Sequence, residues 1–340
     1  MKKTKITFLV LETILLVLAL FFVLKIFDKN VPEKRVAVIL SESGDNRWDS
    51  LIKGLKQAAD INGLHMIICN TDKIDSTETE KEIINEQKNN DIDAFIICPA
   101  PGADTEKMIK KQCSGIPYIL IMDEFYNGTQ LINGQSSDRA SQNKATSESA
   151  KKSLGAVIGP DYYKIGTTLG KQIGKKKKTV GIVADWRESA ANRQMIKGLK
   201  DVLKDTENEI SWCYYRQKGQ DICESVAQKS DVDALVVLDS KALEELGEKS
   251  EQGTYSKAEI YGIGSSEKAI VLLDDGVLNG LIVPDTYSVG YKSVEEIAQK
   301  LNRRFYRIKG HETDIKIFSK PIFSLDDNME RFMYSYESKK

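Results

Sequence analysis

The sequence predicts two similar α/β lobes, each a doubly wound parallel sheet, joined by a hinge, with a cleft between them and one N-terminal transmembrane helix ahead of them. Three observations carry this. Short apolar runs alternate with amphipathic stretches, the rhythm of right-handed βαβ units. That rhythm breaks near residue 130 and restarts near residue 179, with two short sequences recurring in the same order. A nearly unbroken apolar stretch, residues 6–27, precedes all of it.

The apolar stretch comes first. Only Thr7, Glu12, Thr13 and Lys25 interrupt it. At about 1.5 Å per residue it reaches roughly 33 Å, enough to cross a hydrocarbon core. Lys2, Lys3 and Lys5 precede it, so the positive-inside rule keeps the N-terminus in the cytoplasm and the body outside. The stretch exceeds a usual signal-peptide core, no A-x-A site follows, and the first cysteine is Cys69. Residues 1–30 therefore read as a cytoplasmic tip and an uncleaved signal anchor in the cell membrane. A carboxylate at Glu12 fits a position near the interface or helix association. Residues 28–34 (DKNVPEK) form a short polar linker. Residues 1–30 carry five lysines and two acids, and the remainder 44 basic against 48 acidic residues, so a mildly acidic body follows a basic tail.

In the body, residues 36–40 (VAVIL) suit a buried parallel strand. Trp48, Leu51, Ile52, Leu55, Ala58 and Ala59 recur at helical spacing until Asn62-Gly63 stops the helix. Residues 65–70 (HMIICN) form the second strand. Asp75-x-x-Glu78 opens a second helix as an acidic capping box, with Ile83 and Ile84 on its apolar side. Residues 92–98 and 118–122 complete the first set of strands. Residues 130–153, rich in Ser and Lys, read as a long loop between the halves, and Asn127-Gly-Thr129 matches a glycosylation sequon. Strands at 179–184, 210–215, 232–238, 259–263 and 280–283, with a helix around 194–203, form the second set. Ile52-Lys-Gly-Leu-Lys56 recurs as Ile196-Lys-Gly-Leu-Lys200, and Asp91-Ile-Asp-Ala94 as Asp231-Val-Asp-Ala234. Each pair holds the same place in its half, which is the mark of two lobes of one fold rather than a short-period solenoid.

Composition narrows the function. The chain has 340 residues, 41% apolar and 29% charged, which is globular. Two histidines, His65 and His311, and five cysteines without a C-x-x-C argue against a zinc site. A disulfide between Cys213 and Cys223 stays open as a minor reading. There is no P-loop, no nucleophile elbow and no dinucleotide fingerprint, and the net charge of −1 offers no nucleic-acid surface. The expectation is a non-enzyme without metal or cofactor.

In open α/β sheets ligands bind beyond the carboxyl ends of the strands. Those positions hold Ser41-Glu-Ser-Gly-Asp45-Asn-Arg47-Trp48, Asp123-Glu-Phe-Tyr126, Asp185-Trp186-Arg187, Asp239-Ser240 and Ser265-Ser266, and Arg193 opens the helix after Trp186. Carboxylates and guanidinium groups form paired bonds to adjacent hydroxyls, and an indole face covers the apolar side of a sugar ring. Trp48 equally suits a helix core. Asp123 and Asp239 equally suit helix caps, and Asp161 reads as one.

The ordered set VAVIL…DNRWDSLIKGLKQAA, IDAFIICPA, IPYILIMDE, GPDYYKIG, NRQMIKGL, VDALVVLDS, YGIGSS and VGYKSVEEIAQKL resembles the type 1 periplasmic binding proteins, the ribose- and galactose-binding family. The resemblance covers about residues 35–330. It implies a ligand site including Asp45, Arg47, Trp48, Asp123, Trp186, Arg193, Asp239 and Ser266. Arg47 replaces one family aromatic, Ser266 the family aspartate and Pro284 a late glutamine, so ribose or galactose itself is not implied. It further implies lobe one from 31–160 plus 285–315 and lobe two from 161–284 plus 316–335, with Asp161 and Pro284-Asp285 at the hinge. The function implied is capture of a sugar or polyol for an ATP-driven importer permease. The alternative is a ligand-sensing subunit signalling to a membrane sensor kinase.

Overall fold

A computed structural model describes residues 12–22, 34–126, 156–185, 189–217, 220–251 and 257–319. Residues 1–34 and 35–340 form separate compact units. In the first, residues 12–22 form helix α1. Among the described residues no helix is long and apolar enough to cross a membrane. The rest of the expected span, the sequon and the 130–153 stretch lie outside the described residues.

The second unit contains two six-stranded sheets. The first has the order β11-β5-β4-β3-β1-β2, built from β1 (Lys34–Ile39), β2 (Leu64–Ile68), β3 (Ala94–Ile97), β4 (Tyr118–Ile121), β5 (Val157–Pro160) and β11 (His311–Thr313). Neighbours from β11 through β1 pair in parallel. The second has the order β12-β10-β9-β8-β6-β7, built from β6 (Thr179–Ala184), β7 (Glu209–Tyr215), β8 (Ala234–Val237), β9 (Glu259–Ile263), β10 (Leu278–Pro284) and β12 (Ile315–Ser319). It is parallel except for the antiparallel edge strand β12. Helices α2 (Asp49–Asn62), α3 (Thr77–Lys88), α4 (Thr105–Gln112) and α10 (Thr286–Asn302) belong to the first lobe. Helices α5 (Tyr162–Ile173), α6 (Ala190–Leu203), α7 (Ile222–Ala227), α8 (Ser240–Glu251) and α9 (Glu267–Asp274) belong to the second.

Central strands are covered by helices on both faces, so they read as unbroken apolar runs. In β1 one face (Val36, Val38) enters the core shared with α2 and α10, and the other (Ala37, Ile39) enters the core beside α3 and α4. The second lobe repeats the plan, with Val180 and Ile182 on one side of β6 and Val183 on the other. Among the described residues, every member of these four cores lies at or after Val36.

Both internal repeats have a physical role. Asp93 accepts from the Arg35 backbone N–H at 2.9 Å, and Asp233 from that of Thr179 at 2.8 Å. Each aspartate thus fixes the start of its lobe's first strand. Gly54 and Gly198, at the centre of the repeated pentapeptide, lie where two helices cross. A Cβ on Gly54 would sit 2.2 Å from the Tyr287 carbonyl oxygen, and one on Gly198 2.3 Å from that of Tyr163. The partner helices answer with glycines of their own: a Cβ on Gly290 would sit 2.2 Å from the Leu51 carbonyl oxygen and one on Gly166 2.0 Å from that of Met195. A third repeat, unnoticed in the sequence, joins these helices to the lobe crossings. Pro160-Asp161-x-Tyr163-x-x-Gly166 matches Pro284-Asp285-x-Tyr287-x-x-Gly290.

The chain crosses between lobes after β5, after β10 and between β11 and β12. Asp161 caps α5 through the Lys164 N–H, and Asp285 caps α10 through the Ser288 N–H, both at 2.9 Å. The Asp285 N–H donates to the Asp314 carbonyl, tying two crossings together.

One expectation is corrected, and one reading left open is decided. Helix α3 is capped by Ser76, whose hydroxyl accepts from the Thr79 N–H at 3.2 Å, and not by Asp75. A hydroxyl one residue nearer the helix reaches the third amide, so the capping box fails. No disulfide joins Cys213 and Cys223: all five cysteines are thiols, with Cys213 on β7 and Cys223 in α7.

Candidate binding cleft

The carboxyl ends of both sheets face one another across a cavity of about 230 Å³. Each wall follows from a strand that ends and a chain that turns. After β1, Glu42 takes a left-handed backbone (φ 51°), and after β4 Met122 does the same (φ 64°). Both line the cavity. Non-glycine residues in this region carry strain and cluster at ligand sites.

Lobe one contributes Glu42, Arg47, Trp48, Lys73 and Asp123. Arg47 donates to the Ser41 carbonyl at 3.3 Å and to Glu42 Oε2 at 3.2 Å, and its guanidinium lies 5.1 Å from the Trp48 ring centre. Trp48 is only 8% exposed; it belongs to the lobe-one core while lining the cavity, and its indole N–H donates to the Ser41 carbonyl at 2.9 Å. Both roles weighed for Trp48 therefore coexist. Asp45 caps the short helical turn 46–48 through the Arg47 N–H and is not among the lining residues.

Lobe two contributes Asp185, Asn192, Asp239, Ser240 and Ser265. Behind them lies Arg216, directly after β7. It reaches Asp185 at 3.3 Å, Asp239 at 3.6 Å and Glu245 at 3.6 Å. Burial opposes its charge, but Asp239, Glu245 and Asp185 outweigh that and hold its proton more tightly than usual. Asp185 is pushed up, first by burial and then by the neighbouring Asp239. Asp239 also caps α8 by accepting from the Ala242 N–H at 2.7 Å. Ser266 is buried away from the cavity: it caps α9 through the Ala269 N–H and donates to Glu244. Its neighbour Ser265 takes the lining position. Trp186 lies outside the described residues.

Four ties cross between the lobes. The Asp123 carboxylate sits at the N-terminus of α6, accepting from Ser189 Oγ at 2.7 Å and from the Ala191 N–H at 2.9 Å. Burial pushes its pKa up to about 6, against the pull of those hydrogen bonds. Gln194 donates to Glu124, and Lys241 Nζ meets Glu42 Oε1 at 2.9 Å. Arg193 stands off the cavity, its guanidinium 5.0 Å from the Tyr126 ring centre across the lobe boundary.

Buried polar atoms in proteins are nearly always hydrogen-bonded. Around this cleft Arg47 Nε, Ser240 Oγ and Thr286 Oγ1 are buried without a hydrogen-bond partner, whereas Asp185 Oδ1 lies 3.3 Å from Arg216 Nε and Arg216 Nη2 3.6 Å from Asp239 Oδ1 within the ion cluster. A guanidinium nitrogen and a hydroxyl of lobe one and a hydroxyl of lobe two, all on residues lining the cavity, thus remain unsatisfied. Among the described residues no three His, Cys, Asp or Glu side chains group to hold a metal.

Sequence reasoning missed Lys73, Tyr162, Asn192 and Arg216, and it placed Glu42 and Ser240 in the strand-end segments without singling them out. The rule that singled out Asp123 and Asp239, the residues just after a strand, also points to Arg216 after β7.

The architecture and the cleft define a two-lobed binding protein. The chain belongs to the periplasmic binding protein domain family, which it matches over residues 36–304. That is a family of binding proteins rather than enzymes. No match to a curated protein was found by sequence. Solved structures of the same fold include GanP, a glucose-galactose binding protein from Geobacillus stearothermophilus, at 18% identity and TM-score 0.68, covering 86% of this chain and 99% of that one. A carbohydrate transporter solute binding protein from Agrobacterium radiobacter, in complex with D-arabinose, matches at 16% identity and TM-score 0.71, covering 89% and 100%. The XylFII-LytSN complex matches at 15% identity and TM-score 0.66, covering 85% and 98%.

Proposed function

We propose that this protein is a membrane-tethered extracytoplasmic solute-binding protein that holds a sugar or sugar-like polyol in the cleft and presents it to an ATP-driven importer. The observation that carries the ligand class is the set of carboxylate, guanidinium and hydroxyl groups lining the 230 Å³ cavity, of which Arg47 Nε, Ser240 Oγ and Thr286 Oγ1 have no hydrogen-bond partner. Adjacent hydroxyls of a polyol complement such a mixed set, giving and accepting at once. Its size suits a small molecule, below the roughly 300–1,000 Å³ of drug-sized pockets. Family membership supports the binding role, and the tether rests on the apolar stretch 6–27 with its leading lysines.

A thermal-shift screen of residues 31–340 against monosaccharides, polyols, oligosaccharides and nucleosides tests the ligand. A compound at about 100 times its Kd adds about 2.7 kcal/mol, a shift of several degrees. A sugar-dependent shift that vanishes in Arg216→Ala is expected. A folded protein indifferent to every polyol would sink the reading. Extraction of membranes at high pH tests the tether: the full chain stays with the lipid, and release into the supernatant would refute it.

A second reading is sensing, in which the liganded lobes signal through a membrane partner. What favours it is that a structure of this fold was solved as a two-protein assembly, the XylFII-LytSN complex. Purification from membranes separates the two: co-purifying permease subunits support import, and a co-purifying kinase supports sensing.

A further inference from the structure

The loop between α10 and β11 takes no part in the cleft, yet it is tightly built. Tyr306 N–H closes a turn onto the Arg303 carbonyl at 2.9 Å. Lys300 Nζ donates to the carbonyls of Arg304 and Tyr306 at 2.9 and 3.0 Å. Glu296, buried in α10, accepts from Tyr306 Oη at 2.9 Å, from the Lys309 N–H at 2.8 Å and pairs with His311 Nε2 at 2.8 Å. These bonds spend the loop's polar groups inward. What they hold outward is Phe305, 92% exposed, the most exposed large apolar side chain described. Arg303, Arg304, Arg307 and Lys309 surround it in sequence and are exposed. Between residues 297 and 311 there is no acidic residue, although the body as a whole is net acidic. Among the described residues none of the three arginines forms an ion pair.

Topology fixes where this tip lies. Strands β11, β5, β4, β3 and β1 run parallel, so the loop entering β11 and the chain entering β1 share one pole, opposite the cleft. Helix α2 ends at that pole too, with Ile61 64% exposed. The acids at that pole are Asp60 near the end of α2, Glu86 in the last turn of α3, and Asp91 and Asp93 before β3, while Arg35 and Lys88 add positive charge. Residues 28–34 separate the apolar stretch from Arg35, a reach of at most roughly 25 Å when fully extended.

We propose that this pole of lobe one docks on an anionic phospholipid surface, with Phe305 at the acyl–headgroup boundary and Arg303, Arg304 and Arg307 on the phosphates. An aromatic side chain partitions into the membrane interface, and arginines snorkel to phosphate around it. Such docking turns the cleft, at the far end of the lobe, away from the lipid. The proposal leans on the tethered reading for its geometry, but its test does not need the tether.

Since the body holds all four cores, residues 35–340 are sedimented with vesicles of phosphatidylcholine alone and of phosphatidylcholine with 30–40% phosphatidylglycerol. Binding to the anionic vesicles only, weakened by salt, is expected. At about fivefold per cationic side chain, Arg303→Gln with Arg304→Gln and Arg307→Gln lowers partitioning roughly a hundredfold. Phe305→Ala also lowers it, and Phe305→Trp keeps it and acquires emission quenched by brominated lipid. These positions are exposed, so circular dichroism and Tm stay unchanged. Three results overturn the proposal. One is no binding to either vesicle. Another is equal binding by all variants. The third is binding that needs the arginines but ignores residue 305, which identifies a general polyanion patch suited to an acidic protein partner. Failure of the high-pH extraction test would remove the tether without touching any of these readings.

Discussion

Asp123 is a carboxylate that the closed lobes hold in a place costly for its charge. Its two donors, Ser189 Oγ and the Ala191 N–H, favour the ionised form, but burial outweighs them and raises the pKa to about 6. Against an unfolded value near 3.9, the native state therefore binds a proton that the unfolded chain has already lost. The stability from this group is full below about pH 3.9, falls as pH rises toward 6, and stays low above it. The size is on the order of 2–3 kcal/mol. Asp123→Asn copies the protonated form and can still accept from Ala191 and donate to Ser189. Its Tm is expected to equal or exceed that of the parent at pH 7 and to show a smaller rise on acidification to pH 4. A full parental pH slope in the variant would refute the assignment. Asp185 and the buried Glu80, both raised by burial, contribute to the slope that remains. Arg216 is the opposite case, a cation against which three carboxylates are set. Arg216→Ala leaves Asp185 and Asp239 buried against each other, and losing one partner of a buried ionic cluster costs about 3–5 kcal/mol. Urea unfolding checks the size. A loss under about 1 kcal/mol would mean that solvent already screens the cluster.

The helix pairs α2–α10 and α5–α6 explain why a five-residue repeat survives between halves that otherwise differ. Each pair crosses at reciprocal glycines, with backbone carbonyls where a Cβ would be. Gly198→Ala must force α5 and α6 apart, and overpacking of this kind costs about 1–3 kcal/mol or more. Gly44, with nothing within 4 Å of its Cβ position, is the control and is expected to be near neutral on substitution by Ala. Equal urea midpoints for the two variants would refute the close-crossing account. Such elements were legible because packing writes itself into composition. Strands β1, β3, β4, β6, β8 and β9 are buried on both faces and read as apolar runs. Strands β5, β11 and β12 were not legible. Val157–Pro160 is interrupted by Gly-Pro, His311–Thr313 is three residues long, and Ile315–Ser319 is mostly half-exposed. Their extended form comes from pairing at a sheet edge for β11 and β12 and next to one for β5, a tertiary cause with little local pattern. The site divides in the same way. Arg47, Trp48, Asp123 and Asp239 follow from strand-end logic, whereas Asp45 and Ser266, at equivalent positions, are consumed as caps because a short polar side chain beside a helix start reaches the free amides first.

At the scale of the whole molecule, function depends on how firmly the lobes close without a ligand. The ties from Asp123 to α6, from Glu124 to Gln194, from Tyr126 to Arg193 and from Glu42 to Lys241 all bridge the cleft, and none lies in either lobe's core. Lys241 is well exposed, so its pair with Glu42 contributes little, whereas Asp123 is enclosed and its hydrogen bonds weigh more. Closure of the ligand-free lobes therefore rests on these few polar ties, to which a ligand adds through the unsatisfied atoms of the cleft. When only a fraction of molecules is closed, the apparent Kd rises by the inverse of that fraction. Asp123→Ala with Lys241→Ala removes two ties and leaves every core residue in place. The radius of gyration of the ligand-free protein in X-ray solution scattering is expected to increase. Saturating ligand is expected to return it to the parental closed value. The Kd is expected to rise about tenfold for each 1.4 kcal/mol of closing energy removed, and Tm in the absence of ligand to fall by only a few degrees. A raised Kd with an unchanged radius would mean that Asp123 acts as a direct ligand contact instead of a latch, and an unchanged Kd with an expanded free state would mean that binding does not require closure.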